Sequence, residues 1–166
     1  MELKFSCNQP AIDKLVRALV ALGDVEVPRD AREGLNLLSV ALGKIQRRRS
    51  ELAETESRLT VHCRLWQAEV SSRDAAYRIK LDDMLLNDPE VRVAPNKEAR
   101  MARARARAIH ERQRLDEARK EHAALVALLE VAKVARDNLK NAKESISAVT
   151  RIAEMELINS GMPTRR

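Results

Sequence analysis

The chain has 166 residues, of which 34% are charged and only 2% are aromatic, and it contains 4 glycines. This composition, rich in Ala, Leu, Glu, Lys and Arg, favours long helices over sheets. Two cysteines, Cys7 and Cys63, are too few for a disulfide framework and fit a reducing compartment. The longest apolar run, residues 123–129, is shorter than a bilayer requires, and the amino terminus lacks a signal-peptide pattern. The sequence therefore predicts a cytoplasmic protein without membrane contact, or one later packaged in a particle.

Chain breakers predict a short helix near the amino terminus. The alternation of Leu3 and Phe5 is typical of either a small strand or an ordered arm. Pro10 suits the first turn of a helix and Gly23 suits its end, so a helix is predicted between them. Residues 1–29 are therefore predicted to form an amino-terminal arm and a short helix.

A long helix is predicted after the loop that contains Pro28. Asp30 and Glu33 have the spacing of a capping box, and no further proline occurs before Pro89. A heptad-like track follows, in which four of the fourteen positions are charged. The track comprises Leu38, Leu42, Ile45, Arg49, Leu52, Glu56, Leu59, Cys63, Trp66, Val70, Arg73, Tyr77, Lys80 and Met84.

A turn near residues 87–96 separates this helix from a final one. Proline occurs at positions 89 and 95 of this turn, and Asn96 is suited to cap a single continuous helix that reaches about Asn159. Gly161 and Pro163 then stop the helix, which leaves residues 161–166 as a carboxy-terminal tail.

The final helix carries the cleanest apolar seam, nine positions three or four residues apart. These positions are Leu125, Leu128, Ala132, Ala135, Leu139, Ala142, Ile146, Val149 and Ala153. Reversal of the chain about residue 91 places the seam opposite residues 29–57. The predicted fold is all-α: a long antiparallel helical hairpin, coiled-coil-like, over residues 30–160, with the short helix in front of it.

Such a long seam is expected to exceed what one partner helix and the short first helix cover. We therefore expect a homo-oligomer. The residues predicted to form its interface are Leu125, Leu128, Leu139, Ile146 and Val149.

Positive charge is concentrated at the start of the final helix. Residues 97–120 hold nine basic and four acidic side chains, so this segment is +5 in a chain of net charge +6. Arginines among alanines form two cationic ridges that suit a phosphate backbone, because each guanidinium offers paired donors. One ridge comprises Arg100, Arg103, Arg107 and Arg114, and the other comprises Arg105, Arg112 and Arg119. Binding to nucleic acid, in particular single-stranded DNA, is predicted for Lys97, Arg100, Arg103, Arg105, Arg107, Arg112, Arg114, Arg119, Lys80 and Arg78. The alternative is a solvated face that is partly paired with Glu111, Asp116 and Glu117.

Two smaller features leave alternatives open. Arg47, Arg48 and Arg49 either bind an anion or include a side chain whose stem covers the edge of the seam. Trp66 and Tyr77 share a helix face, where they either stack nucleic-acid bases or belong to the core, and their heptad spacing favours the core.

No constellation for catalysis or metal binding is evident in the sequence. His62 and Cys63 diverge on a helix, and His110 and His122 lie too far apart for one ion. There is no glycine-rich phosphate loop or nucleophile elbow. The acidic group Asp82, Asp83, Asp88 and Glu90 suits capping and solubility better than a cation. We therefore expect no catalytic residue, no metal and no cofactor.

The layout resembles that of small all-helical recombination mediators of tailed phages, which load a strand-exchange recombinase onto single-stranded DNA. The resemblance covers residues 44–161 and rests on the charged helix RDAAYRIKLDDMLL, the turn NDPEVRVAP and the long helix that ends in RIAEMELINSG. It implies a ring-like homo-oligomer that binds single strands with basic helices. It also implies contacts with a recombinase and a single-strand-binding protein, in a phage-infected host cytoplasm. Residues 1–43 have no counterpart in this resemblance.

The sequence thus predicts a non-enzymatic, nucleic-acid-binding oligomer with a recombination-mediator role. The alternative is a structural component of a phage particle or its assembly, such as a scaffold, neck protein or coiled-coil adaptor, in which the arginines contact only protein.

Overall fold

The computed structural model describes residues 9–24 and 35–159, and these stretches are helical almost throughout, without a strand. In chain order the helices are α1 (Gln9–Gly23), α2 (Leu35–Asn87), α3 (Pro89–Arg92), α4 (Lys97–Arg107) and α5 (Ile109–Asn159). Parts of the long helices α2 and α5 pack against each other in an antiparallel, hairpin-like arrangement, as the pairs Glu56–Arg136 and Asp74–Arg119 show, and α1 precedes them in the chain. The predicted all-α class is therefore confirmed.

The chain divides into two compact units that share the long helices. Unit 1 is Met1–Leu59 with Leu128–Arg166, and unit 2 is Thr60–Ala127. Each unit thus contains one part of α2 and one part of α5. Unit 1 adds α1, whereas unit 2 adds α3 and α4.

In unit 1, α2 contributes a buried leucine or isoleucine every seven residues. These residues are Leu38, Ile45, Leu52 and Leu59, each at most 2% exposed. The facing part of α5 contributes Leu128, Ala132, Ala135, Leu139, Ile146 and Ala153, all at most 5% exposed. At the edge of this core, Arg136 of α5 pairs with Glu56 of α2 at 3.3 Å. Glu56 is one of the charged positions in the predicted α2 track, and its ion pair with Arg136 lies beside the apolar residues that α2 and α5 bury.

The first helix closes the core of unit 1. Leu19 is buried, and Gly23 lies so close to α5 that a Cβ atom built on it would be 2.8 Å from the Cα of Ala135. The predicted bounds of this helix, Pro10 to Gly23, agree with the observed Gln9–Gly23 within one residue.

The burial of the α5 seam corrects the predicted oligomer interface. Leu125, Leu128, Leu139 and Ile146 are 0–2% exposed within a single chain, and Val149 is half-buried. The expectation that one chain is unable to cover this seam is wrong, because α1 and α2 provide enough apolar surface. Leu125, Leu128, Leu139 and Ile146 therefore belong to the intrachain core, and self-association through them is excluded in this fold.

Unit 2 has a core of smaller residues. Its buried apolar side chains are Cys63, Val91, Ala94, Ala104, Ala108, Leu115, Ala118 and Leu125. Trp66 and Tyr77 are half-buried on the same side of α2 as Cys63, which agrees with the core interpretation. The pairing of Asp74 with Arg119 at 3.3 Å and of Asp88 with Arg107 at 2.6 Å shows the antiparallel course of the chain.

The reversal lies further along the chain than expected. A fold about residue 91 would place Arg119 opposite Cys63, yet Arg119 pairs with Asp74. The reason is that α3 is helical and residues 93–96 make the reversal, so its midpoint lies close to Asn96. Asn96 caps α4 as predicted, since its Oδ1 accepts from the Ala99 amide at 2.8 Å.

The prediction of one continuous final helix is wrong at a single residue. Ala108 has φ −90° and ψ 20°, which separates α4 from α5. Its amide still donates to the Ala104 carbonyl at 3.0 Å, and its carbonyl still accepts from the Arg112 amide at 3.1 Å. Ala108 is fully buried, so the distortion is local and lies on the packed side of the helix.

Several sequence predictions fall outside the described residues. These are the Leu3 and Phe5 alternation, the Asp30 and Glu33 capping box, the Gly161 and Pro163 stop, and the domain boundaries at residues 29 and 160. Within the described part of the chain, no helix combines the length and the apolarity that a membrane span needs.

Candidate nucleic-acid interface

The acidic turn in unit 2 is built around Asp88. Asp88 is buried and caps α3, because its Oδ1 accepts from the Glu90 amide at 2.9 Å and the Val91 amide at 3.3 Å. The capping role that we expected for the acidic group is thus confirmed for this residue. The described residues contain no cluster of His, Cys, Asp or Glu suited to a metal ion.

Three arginines of α4 bind this turn. Arg107 pairs with Asp88 at 2.6 Å and also with the Glu90 carboxylate. Arg103 donates to the Glu90 carbonyl at 2.7 Å, and Arg100 donates to the Ala94 carbonyl at 3.2 Å. Arg100, Arg103 and Arg107, three of the four members of the first predicted ridge, therefore have a structural role, which is to attach α4 to the turn that precedes it.

The basic side chains of α4 differ in whether a carboxylate of the protein neutralises their charge. Arg107 has two carboxylate partners, so it is a poor candidate for phosphate binding. Arg100 and Arg103 bind uncharged carbonyl groups and keep their full positive charge. Lys97 and Arg105 are exposed and have no ion pair or hydrogen bond within the part of the chain that the structure describes.

The second predicted ridge is mixed. Arg112 lies 3.8 Å from Asp116, and Arg119 contacts Asp74 at 3.3 Å and Asp116 at 3.7 Å. All these side chains are partly exposed, so such pairs contribute little to stability and still leave the cations accessible. The alternative prediction is a solvated face on which acidic side chains partly pair with the arginines. Asp116 pairs with Arg112 and Arg119 in this way.

The predicted residues of α2 are paired within their own helix. Arg78 binds Asp74 at 2.7 Å, and Lys80 lies 3.7 Å from Asp83. The Arg78 side chain is nevertheless 76% exposed, so it remains open to a further ligand.

Arg114 lines an open, polar cleft between α2 and α5 in unit 2. Acidic and basic side chains meet there, because Glu69, Glu111 and Glu117 surround Arg73 and Arg114. Arg73 bridges the two helices, with its Nε 2.7 Å from Glu69 and its Nη1 2.8 Å from the Arg114 carbonyl. The balance of charge makes this cleft a poor site for an anion.

Arg48 has a structural role that the sequence pattern does not reveal. This half-buried side chain donates to the Ala21 carbonyl at 3.2 Å and to the Asp24 carbonyl, so it caps the carboxy-terminal end of α1. Cations stabilise that end of a helix because its last carbonyls lack partners. Arg47 and Arg49 remain exposed. The sequence shows only a run of three arginines at this point. The carbonyl groups that Arg48 binds are at the end of α1, and only the folded structure brings them close to it.

Cys63 is buried at the start of unit 2, and burial raises the pKa of its thiol above the ordinary value. A protonated thiol is a weak nucleophile, so this residue does not resemble an activated cysteine. No family model, curated protein or solved structure matches the chain.

Proposed function

We propose that the protein binds nucleic acid, preferentially single-stranded DNA, through the exposed cations of α4. The observation that carries this proposal is the charge of that helix: five of its eleven residues are basic and only Glu98 is acidic. Lys97, Arg100, Arg103 and Arg105 have no carboxylate partner among the described residues. These four cations are the main candidate contacts.

The attachment of α4 to the turn supports the proposal. Arg100 and Arg103 each use part of their guanidinium to bind a carbonyl, and an arginine has five N–H donors. Their remaining donors are therefore held in place on a helix fixed by the Arg107 ion pairs. A fixed donor loses less side-chain entropy on binding phosphate than a free one.

The recombination-mediator role is part of the same proposal. It rests on the resemblance of residues 44–161 to mediators of tailed phages. In that role the chain binds single strands, meets a recombinase and a single-strand-binding protein, and needs no catalytic residue, metal or cofactor of its own. A structural component of a phage particle is the competing function, and it predicts no affinity for DNA.

The test is a titration of labelled single-stranded and double-stranded DNA at several salt concentrations. The diagnostic variant is K97A/R105A, because both side chains lack partners among the described residues. The matched control is R47A/R49A, which removes the same charge from exposed positions in unit 1. Both variants should keep the helical circular dichroism of the parent.

We expect the affinity for single strands to fall steeply with salt. Removing two phosphate contacts should lower the slope of log affinity against log salt by about 1.4, since each contact contributes about 0.7 on single strands. The control should keep the parent slope. If the parent binds neither strand near physiological salt, or both variants behave alike, the proposal fails and the structural-component function replaces it.

A further inference from the structure

In unit 2, α2 carries a second row of residues at three- and four-residue spacing, on the side opposite Trp66 and Tyr77. All eight members are exposed, and the four large apolar side chains are 53% to 70% exposed. We call this row the outer α2 stripe. It comprises Val61, Leu65, Ala68, Ser72, Ala75, Ile79, Asp82 and Leu86.

The spacing of the outer α2 stripe is that of a coiled-coil seam. Single exposed apolar residues are ordinary, whereas a heptad pattern that continues from Val61 to Leu86 places them in one line. Three small residues, Ala68, Ser72 and Ala75, occupy its centre and allow another helix to approach closely. The described part of the chain leaves this line open to solvent, while the inner side of α2 already packs within unit 2.

Charges of opposite sign flank the outer α2 stripe. One edge carries Arg64 and Arg78, and the other carries Glu69 and Asp83. All four side chains reach solvent, although Arg78, Glu69 and Asp83 also pair within α2. Each arginine lies five residues before an acidic residue of the opposite edge, which is the spacing that links adjacent parallel helices in a coiled coil.

We propose that a second copy of this chain docks on the outer α2 stripe, with the two α2 helices parallel and in register. In this arrangement Arg64 faces Glu69 of the second copy, and Arg78 faces Asp83 of the second copy. Both contacts occur twice because the pair is symmetric. An antiparallel pair would instead bring the two arginine edges together, so the charges select the parallel orientation.

Asp82 is the least favourable position of the seam. In the parallel pair it faces the same residue of the second copy, and two facing carboxylates repel each other, which weakens the pair. The dimer is therefore expected to be reversible. The interface contains none of the four candidate DNA contacts of α4, so this proposal stands or falls separately from DNA binding.

Light scattering coupled to size-exclusion chromatography tests the assembly at micromolar concentrations. The disrupting variant is L65E/I79E, and the matched control is V134E/I152E, whose positions are 60% and 51% exposed on α5. We expect a dimer for the parent and the control, and at least about 100-fold weaker association for L65E/I79E, because desolvating unpaired charges in a seam is costly. A monomeric parent, or an assembly that L65E/I79E leaves intact, overturns the proposal.

Disulfide cross-linking tests the orientation, in a background where Cys7 is replaced by Ser and Cys63 by Ala. Residues 61 and 86 lie about 37 Å apart along the helix, which excludes a bond between the two ends of parallel chains. Val61→Cys alone and Leu86→Cys alone should each form covalent dimers on mild oxidation. If only a mixture of the two variants cross-links, the helices are antiparallel and the proposed orientation is wrong.

Asp82→Leu tests the same interface with a substitution that should strengthen the dimer. Removing the facing carboxylates should tighten the dimer at least about 10-fold, measured by the concentration dependence of the scattering mass. The same substitution at Asp116, a half-buried acidic residue of α5 in the same unit, should leave the dimer unchanged. Weaker association of Asp82→Leu overturns the in-register arrangement.

Discussion

Arg107 binds Asp88 at 2.6 Å across nineteen residues of sequence, and this pair holds α4 against the turn that begins α3. The Asp88 side chain is 7% exposed, whereas Arg107 is 43% exposed. Because the carboxylate is the desolvated partner, it bears most of the cost when the pair is broken.

Arg107→Met should therefore lower the free energy of unfolding by about 1–3 kcal/mol, since it leaves the Asp88 carboxylate buried without its charged partner. Urea unfolding followed by circular dichroism measures this change. Arg105→Met, two residues away and without a partner in the described chain, should change stability by less than about 0.5 kcal/mol.

The matching double-mutant cycle combines Arg107→Met with Asp88→Asn. A coupling free energy of about 1 kcal/mol or more is expected, because the two side chains interact directly. A coupling within about 0.3 kcal/mol of zero would show that the pair contributes nothing to stability.

Gly43→Ala should stabilise the protein. Gly43 lies inside α2 in unit 1, and a Cβ atom there would have no neighbour within 4 Å. Alanine costs less backbone entropy than glycine in a helix, so the expected gain is about 0.5–1 kcal/mol. The midpoint of urea unfolding should rise while its slope stays constant. A lower midpoint would mean that the added methyl group meets an obstacle.

Gly23→Ala should have the opposite effect. At this end of α1 the new Cβ atom would lie 2.8 Å from the Cα of Ala135, which is backbone and unable to move aside alone. We expect a loss of about 1–3 kcal/mol, as for other overpacked cores. The same assay applies, and stability equal to the parent would show that α1 shifts away from α5 at little cost.

Leu139→Ala should destabilise the folded chain itself. Leu139 is fully buried in unit 1, and removing the isopropyl group beyond its Cβ atom leaves a cavity at a cost of about 2–5 kcal/mol. Unfolding should therefore shift to lower urea at every protein concentration. A shift that disappears at high protein concentration would instead indicate that Leu139 is buried by a second copy.

The fold class could be predicted because two signals extend over many residues. The nine-position α5 seam and the α2 track both repeat every seven residues, and Leu139 and Ile146 lie in the core as their spacing predicts. Such long patterns predict a helix even when the exact residue at which it begins or ends is uncertain from the sequence. The position of the reversal depends instead on whether residues 89–92 are helical. A segment of four residues is too short to show a periodic pattern, so the sequence does not predict this helix.

The candidate site was harder to predict because charge alone does not identify a partner. Arg105 and Arg107 look equivalent in the sequence, yet Arg105 has no partner among the described residues and Arg107 pairs with two carboxylates. The difference arises from helix phase relative to Asp88 and Glu90, which is fixed only when α4 packs on α3. The outer α2 stripe is hard to recognise in the sequence for a related reason, since its small and polar members interrupt the apolar pattern.

Cys63 provides a pH-dependent test of the core in unit 2. Burial raises the pKa of its thiol, so the folded protein holds this proton more tightly than the unfolded chain does. Between the two pKa values the unfolded chain binds fewer protons, and stability therefore falls as pH rises. The contribution is complete below the pKa of the unfolded thiol, about 8.5, and is lost as pH rises through the folded value.

The measurement is urea unfolding from pH 7 to pH 10 in a Cys7→Ser background, with and without Cys63→Ala. At pH 7 the alanine variant should be less stable, because it loses the packing of the sulfur atom. The difference should narrow above about pH 8.5, since only the chain with Cys63 is penalised by ionisation of the unfolded thiol. Alkylation of Cys63 by iodoacetamide at pH 8 should also be slower than that of the same thiol in urea. A difference in stability that stays constant up to pH 10, together with equal alkylation rates, would contradict a buried thiol at this position.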